Sequence, residues 1–376
     1  MKEISVGIVG TKFMGRAHSN AFMDVAHFFE LPARPVMRAA CGRNAADLQA
    51  FAARFGWQTT ETSWERLVAR DDIDLVDICT SNVTHMPIAV AAAKAGKHVF
   101  CEKPLAMNAT EARRMLDAAR EAGVRHMVAF NYRRVPAIVL AKQFIDAGKI
   151  GTIRHFNAVY YQDWLVDPNF SIVWRQDIKE AGSGAHGDMS AHIVDLARYL
   201  VGEIEAVTGA QEIFIKERPL ADGSGKGVVT ADDATNFLAR FRNGALGSFL
   251  VTRFATGRKN YLRLELFGSE GSLAFNLERL NELEYYSRKD ERAEQGYRTI
   301  LATESIHPYV NAWWPAGHII GWEHTFIHEV RDLLLAIAKK EPVYPDFYDG
   351  LRDQQILDAV VESASKGRWV EVPAGE

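Results

Sequence analysis

The sequence predicts an α/β N-terminal domain with a parallel, doubly wound sheet, followed by an α+β domain with a large, mainly antiparallel open sheet. Three observations carry this. Strands and helices alternate over the first 130 residues, which implies parallel strands with helices on both faces. Beyond about residue 150 the pattern changes to strands joined by short turns. The segment VGIVGTKFMGRAH (6–18) sets a glycine-rich turn between the first strand and the first helix. The boundary is a change of pattern and carries no flexible linker, giving domains of 1–130 and 131–376.

The elements follow in order. Short apolar or β-branched runs at 3–9, 36–41, 74–79, 97–101 and 126–130 read as strands. Helical stretches lie between them at about 14–29, 45–55, 85–95 and 109–122. The last begins at Asn108, a possible cap, carries an i, i+4 apolar stripe and stops at Gly123. Later strands are predicted at 153–162, 204–216, 234–242, 245–254, 261–268 and 271–276, with an Asn-Gly hairpin signal in FRNGALGSF (241–249). Helices are predicted at about 187–201, 321–340 and 349–366.

Composition narrows the function classes. With 48% apolar residues the chain can bury a full core, and its net charge of −4 without like-charge runs argues against nucleic acid or an anionic membrane as partner. Met1-Lys2-Glu3-Ile4 enters a strand with no basic n-region, and no apolar run is long enough to span a bilayer. Cys41, Cys79 and Cys101 are far apart and read as buried small hydrophobes in a reduced, cytoplasmic protein.

The glycine turn fits a dinucleotide site. Gly10 permits the tight turn and Gly15 the close packing of helix on strand, but Lys12 replaces the middle glycine and adds a Cβ near the pyrophosphate. The helix start still offers N–H groups and a positive dipole end, and the Lys12 ammonium attracts phosphate. After the second strand, Gly42 and Arg43 stand where an NAD site carries an acid for the ribose. Arginine there can pair with a 2′-phosphate, so the reading leans towards NADP(H) and leaves NAD(H) open.

Two further stretches carry chemistry. Glu102-Lys103-Pro104 follows a strand end directly, where ligands of open α/β sheets bind. Alone, Lys103 reads equally as a surface lysine beside a turn proline. In EAGSGAHGDMSAHIVDLARYLVG (180–202), helical projection puts Asp188, His192, Asp195 and Tyr199 on one polar stripe. A histidine with a carboxylate one turn before it suits a general base, although an ordinary amphipathic helix with a core histidine has the same pattern. No metal is expected, because no further ligand cluster accompanies the helix.

The glycine turn with F-M-G-x-x-H, the AGKHVFCEKPLA run (95–106) and the Gly187-Asp188-x-x-x-His192 helix, in this order and spacing, resemble the glucose-fructose oxidoreductase/inositol dehydrogenase/MocA family over essentially the whole chain. The resemblance implies a Rossmann domain at the N-terminus and hydride transfer between a nicotinamide and a secondary ring hydroxyl of a pyranose, anhydrosugar or inositol. It implies Lys103, Asp188 and His192 as the catalytic set. It implies Gly10, Lys12, Phe13, Met14, Gly15, Gly42, Arg43, Thr80, Ser81, Asn82, His85, Glu102 and Lys103 as cofactor-binding. Besides Asp188 and His192, substrate contacts are expected from Tyr132, Arg133, Gln162, Asp163, Trp164, Trp174 and Arg175, aromatic faces for ring C–H bonds and polar groups for hydroxyls. A homo-oligomer, dimer or tetramer, through the C-terminal sheet is also implied. Two other outcomes stay open: a redox enzyme that oxidises transiently and cleaves a glycoside, and a non-catalytic binding or regulatory protein.

Overall fold

The structure is a computed structural model that describes residues 2–376. The first strands and helices alternate as the periodicity predicts: β1 (Lys2–Val9), α1 (Phe13–Phe28), β2 (Ala33–Cys41), α2 (Ala45–Phe55), β3 (Thr59–Glu61), α3 (Trp64–Val68), β4 (Leu75–Ile78), α4 (His85–Lys94), β5 (His98–Cys101), α5 (Ala109–Ala122) and β6 (His126–Val128). The strands form a six-stranded parallel sheet in the order β3-β2-β1-β4-β5-β6. Residues 4–9 of β1 and all of β4 are buried, as central parallel strands must be when helices cover both faces. Asn108 caps α5 by accepting the Glu111 N–H, and Gly123 ends that helix in the left-handed conformation. The three cysteines are free and buried.

The later elements are α6 (Pro136–Asp146), β7 (Ile153–Tyr161), α7 (Ile178–Ala181), a π-helical turn (His186–Ser190) running into α8 (Ala191–Leu200), β8 (Ile204–Glu212), β9 (Glu217–Pro219), β10 (Lys226–Val228), β11 (Ala234–Phe241), β12 (Leu246–Thr252), β13 (Tyr261–Gly268), β14 (Gly271–Asn276), β15 (Glu282–Ser287), β16 (Arg298–Leu301), α9 (Glu323–Lys339), α10 (Phe347–Lys366) and β17 (Val370–Glu371). Nine strands form one sheet in the order β16-β15-β14-β13-β7-β12-β11-β8-β17. Every pair in it is antiparallel except β7 with β12. Burial alternates along β11, β12 and β13, so one face carries the core. The predicted strand 204–216 stops at Glu212; the chain then turns into the separate β9–β10 hairpin.

The chain divides into two compact units, residues 1–134 with 321–351, and 135–320 with 352–376. A single boundary at 130 does not capture the return of 321–351 to the first unit. The physical reason is a row of ring contacts along α1 and α9: Phe13 stacks on Trp322 at 5.4 Å, His18 meets Phe326 at 5.5 Å and Phe29 meets His328 edge-on at 5.9 Å. The β6 backbone also donates from Val128 to the Pro345 carbonyl. Among the described residues, no helix is long and apolar enough to cross a membrane.

His328 shows how burial in this unit couples stability to pH. Its Nδ1–H donates to the Arg134 carbonyl at 2.9 Å, and burial holds its pKa down to about 3. His126 is likewise held down to about 4 by burial. The unfolded chain takes up a proton at each near the ordinary histidine pKa, which the folded chain refuses, so stability present above that value is lost as pH falls below it. For His328 the loss reaches roughly 2 kcal/mol by pH 5. Thermal unfolding at pH 7 and pH 5 is expected to show a larger fall in Tm for the native protein than for His328→Gln. Equal falls would show that His328 does not carry the effect.

Candidate functional site

Each unit contributes a polar cluster at the ends of its strands. In the first unit, Gly10 at the end of β1 has φ +109°, and a Cβ there would lie 2.4 Å from the Cys79 carbonyl oxygen. A Cβ on Gly15 would lie 2.0 Å from the Gly10 oxygen. Both glycines are therefore demanded by the turn, whatever it binds. The first turn of α1 has no acidic residue and no side-chain cap, which suits an anion at that helix end.

Lys12 projects outward and pairs with Asp47 at 3.4 Å. Asp47 sits in the first turn of α2, where Asn44 caps its N–H. An exposed pair of this kind is weak, so the Lys12 ammonium can exchange partners. Phe13 is largely exposed and lies against Trp322. Met14 and Gly42 are half-buried and Arg43 is exposed. The turn geometry and its charges fit a dinucleotide phosphate, with Gly10, Gly15 and the start of α1 as the seat.

The loop after β4 carries Thr80, Ser81 and Asn82. The Thr84 hydroxyl donates to Thr80 Oγ1 at 2.7 Å and lies 2.8 Å from the Ser81 carbonyl. His85 is fully buried, with its ring nitrogens 3.1 Å from the Pro104 carbonyl and 3.2 Å from the Thr80 carbonyl. Burial lowers its pKa, and the ring lies between this loop and the Glu102-Lys103-Pro104 segment, its single N–H in the neutral form serving one of the two carbonyls. Lys103 is half-buried directly after β5, and its backbone N–H donates to Glu102 Oε2 at 3.1 Å. Tyr132 and Arg133 are buried, and the Arg133 guanidinium pairs with Asp349 at 3.2 Å.

In the second unit, the π-helical turn carries Asp188 and α8 carries His192. Asp188 accepts from the Arg253 Nη2 at 2.7 Å, and Arg175 Nε lies 3.9 Å from the same oxygen. Arg253 is 1% exposed, and its guanidinium also lies 5.1 Å from the Trp164 ring centre. His192 sits 5.9 Å, ring to ring, from Tyr160. The Tyr160 hydroxyl and the Gln162 amide both donate to Asn260 Oδ1, at 2.9 and 2.8 Å, and Trp164 Nε1 donates to Gln162 Oε1 at 2.9 Å. The cluster thus presents an imidazole, a carboxylate held by arginine, and an aromatic wall with fixed amides. Arg175 lies over Trp174 at 4.4 Å.

Asp163 belongs less to this cluster. Its Oδ2 accepts from Lys259 at 2.7 Å and from the Gly257 N–H at 3.0 Å, and the Lys259 bond holds its carboxyl below the usual range. The predicted polar stripe of α8 is not a wet face: His192 and Asp195 are both buried. The sequence reading missed Arg253, Asn260 and Asp232. Asp232 accepts from the Gly184 and His186 N–H groups, both at 2.7 Å, and so anchors the start of the π-helical turn. None has a sequence signal beyond its charge or amide; Asp232 lies in the strand-free stretch between β10 and β11.

Residues 4–130 match the oxidoreductase family with an NAD-binding Rossmann fold, and residues 138–274 match the GFO/IDH/MocA C-terminal domain. Levoglucosan dehydrogenase of Pseudarthrobacter phenanthrenivorans is 44% identical, with 99% of each chain covered. This chain belongs to the Gfo/Idh/MocA family. It is an oxidoreductase with an NAD-binding Rossmann domain. Inositol 2-dehydrogenase of Rhizobium meliloti is 26% identical over 98% of this chain and 99% of its own. Among solved structures, an oxidoreductase domain protein from Kribbella flavida superposes with a TM-score of 0.97 at 50% identity, covering 100% of both chains. Levoglucosan dehydrogenase in complex with NADH and levoglucosan superposes with a TM-score of 0.96 at 44% identity, covering 99% of this chain and 100% of that one.

The Arg253–Asp188 pair gives a direct check of the second-unit cluster. Arg253→Met removes a buried cation and takes from the half-buried Asp188 carboxylate its 2.7 Å arginine partner, so a stability loss of about 1–3 kcal/mol is expected. Urea unfolding of the two proteins measures it. A loss under roughly 0.5 kcal/mol, the usual scale of a surface change, would mean that the pair is not structural.

Proposed function

We propose that this protein is an NAD-dependent dehydrogenase of a pyranose-type anhydrosugar or related ring polyol, acting on a secondary ring hydroxyl. The observation that carries it is the second-unit cluster, in which the Asp188–His192 helix lies beside the aromatic and amide wall of Tyr160, Gln162, Asn260 and Trp164; the first unit adds a lysine, Lys103, at a strand end. Similarity to levoglucosan dehydrogenase over the full length supports the substrate class.

The nicotinamide, when bound, supplies the hydride acceptor. The remaining work falls to the chain. His192 takes the proton of the reacting hydroxyl as general base, and returns it in the reverse direction. Lys103 donates to the same oxygen and stabilises its developing charge. Asp188, which accepts from Arg253, supports the positive charge that His192 acquires. Trp164 and Trp174 offer faces to ring C–H bonds, and Gln162 and Arg175 offer polar contacts to hydroxyls. Gly10, Gly15, Met14, Gly42 and the Thr80-Ser81-Asn82 loop seat the cofactor. Arg43 extends cofactor use to NADP(H), because it can meet a 2′-phosphate, with Lys12 as a second, exchangeable cation. Homo-oligomer contacts fall on the outer face of the nine-stranded sheet, where Leu238 and Leu246 are exposed.

Levoglucosan, inositols, aldopyranoses and short alcohols, each offered with both cofactors, test this through the absorbance of the reduced nicotinamide. A small aliphatic alcohol or 2-hydroxy acid that outperforms every ring polyol would overturn the substrate class. Lys103→Ala and His192→Ala are each expected to lower kcat by about 100-fold or more, with cofactor affinity far less changed. Arg43→Ala is expected to lower the NADP-to-NAD ratio of kcat/KM by roughly two- to fivefold, the scale of one exposed ion pair. An unchanged ratio would remove Arg43 from cofactor choice.

A further inference from the structure

Beneath the glycine turn lies a charged cluster for which the reaction above has no use. His18, in the second turn of α1, is 0% exposed. Its Nδ1 lies 2.9 and 3.0 Å from the two carboxylate oxygens of Asp77 on β4, and its Nε2 lies 3.0 Å from Glu102 Oε1. Asp77 and Glu102 are also buried, and the rings of Phe100 and Phe326 lie 4.8 and 5.5 Å from the imidazole. Buried charges are costly unless each is paired and hydrogen-bonded. Here both ring nitrogens face carboxylate oxygens, so both donate and the ring is an imidazolium. Burial opposes that charge, but the Asp77 carboxylate overrides it and raises His18 well above the ordinary histidine range. The Cys79 thiol, kept protonated by burial, donates to Asp77 Oδ1 at 3.6 Å.

The other oxygen of Glu102 gives the cluster its consequence. Oε2 accepts the backbone N–H of Lys103 at 3.1 Å. The line of bonds thus runs from the centre of the parallel sheet, through the helix that opens at the glycine turn, to the backbone of the strand-end lysine. An ionised carboxylate is needed at its last link, because both partners of Glu102 are donors. An amide has one acceptor oxygen and would turn an NH2 group towards one of them.

We propose that Asp77, His18 and Glu102 form a buried positioning relay that fixes the Lys103 backbone, and with it the reach of the ammonium, relative to the start of α1. The proposal rests on the reading of Lys103 as a catalytic residue. In this role the three residues act through the Lys103 backbone. A displacement of about 1 Å at a reacting group costs on the order of 100-fold in rate, so a rigid anchor at this backbone acts on turnover before it acts on binding.

The test is Glu102→Gln, with Asp77→Asn as a second near-isosteric variant and Lys103→Ala as reference. The relay predicts that Glu102→Gln lowers kcat by roughly 10- to 100-fold. Asp77→Asn, one link further away, is expected to show a smaller drop in kcat while the Kd for NADH, followed by its fluorescence, and the KM for the ring substrate stay within about threefold, a split that simple loss of packing does not produce. The double variant is expected to lose little more than Glu102→Gln alone, because the residues act as a unit. Native kcat in folded Glu102→Gln, with Lys103→Ala inactive, overturns the relay and leaves the catalytic reading standing. Native kcat in Lys103→Ala overturns that reading and the relay with it. Imidazole 15N resonances of the unmodified protein give a check that needs no folded variant: both His18 nitrogens are expected to be protonated at neutral pH, and a bare nitrogen overturns the relay.

Discussion

The first unit depends on a close approach of backbone to backbone. The turn after β1 must cross the end of β4 so tightly that a Cβ on Gly10 would lie 2.4 Å from the Cys79 carbonyl oxygen. This crossing sets where α1 begins and how near it lies to the sheet. From it follow the packing of Gly15 on Gly10 and the depth at which His18 enters the interior. The glycine turn at the start of α1 and the charged cluster beneath it are thus two results of one constraint. Loosening the turn would move both together, since they lie on the same helix.

The second unit has a comparable constraint. A Cβ on Gly184 would lie 1.9 Å from the Asp232 carbonyl oxygen, while the Asp232 carboxylate receives the Gly184 and His186 N–H groups. This contact holds the π-helical turn against the strand that follows Asp232. A π turn widens the helix locally and is frequent at functional positions. Here it carries Asp188 into reach of Arg253, whose own charge is shared with the face of Trp164. The arginine therefore sets the carboxylate and the aromatic wall in a common frame.

Much of this was legible in the sequence. The alternation of apolar runs and helices located the strands of the first sheet, because parallel strands covered on both faces leave uninterrupted apolar runs. The Asn108 cap and the Gly123 stop appear where the residue types put them. The short strands β3, β9, β10, β16 and β17 escaped, since two to four residues give no period to detect, and the six-residue β15 escaped although its buried Leu283 and Tyr285 alternate with glutamates. The helix α6 escaped although Pro136 stands at its first turn, a usable start signal. Other features are tertiary. The stripe Asp188, His192, Asp195 and Tyr199 has the period of a solvent face, but packing of α8 on β7 and α6 buries Asp195 and most of His192. Arg253, Asn260 and Asp232 stand in or beside turns, where one charge or amide looks like any other until the fold chooses its partner. The motif H of F-M-G-x-x-H was visible, but its two carboxylate neighbours come from β4 and the end of β5, far along the chain.

The return of residues 321–351 to the first unit has a temporal consequence. A ribosome delivers the six strands of the parallel sheet within the first 128 residues. The helix whose rings pack on Phe13, His18 and Phe29 arrives only after eight of the nine strands of the second unit's sheet, with β17 following it. The chain returns to the first unit 187 residues after residue 134, 321 minus 134. At typical synthesis rates of ~5–20 residues per second, that is about 10–40 s. During this interval one flank of α1 is uncovered, and the imidazolium beneath it lacks the Phe326 ring. The order of emergence also means that a premature stop before Trp322 would leave an intact sheet without its closing helix.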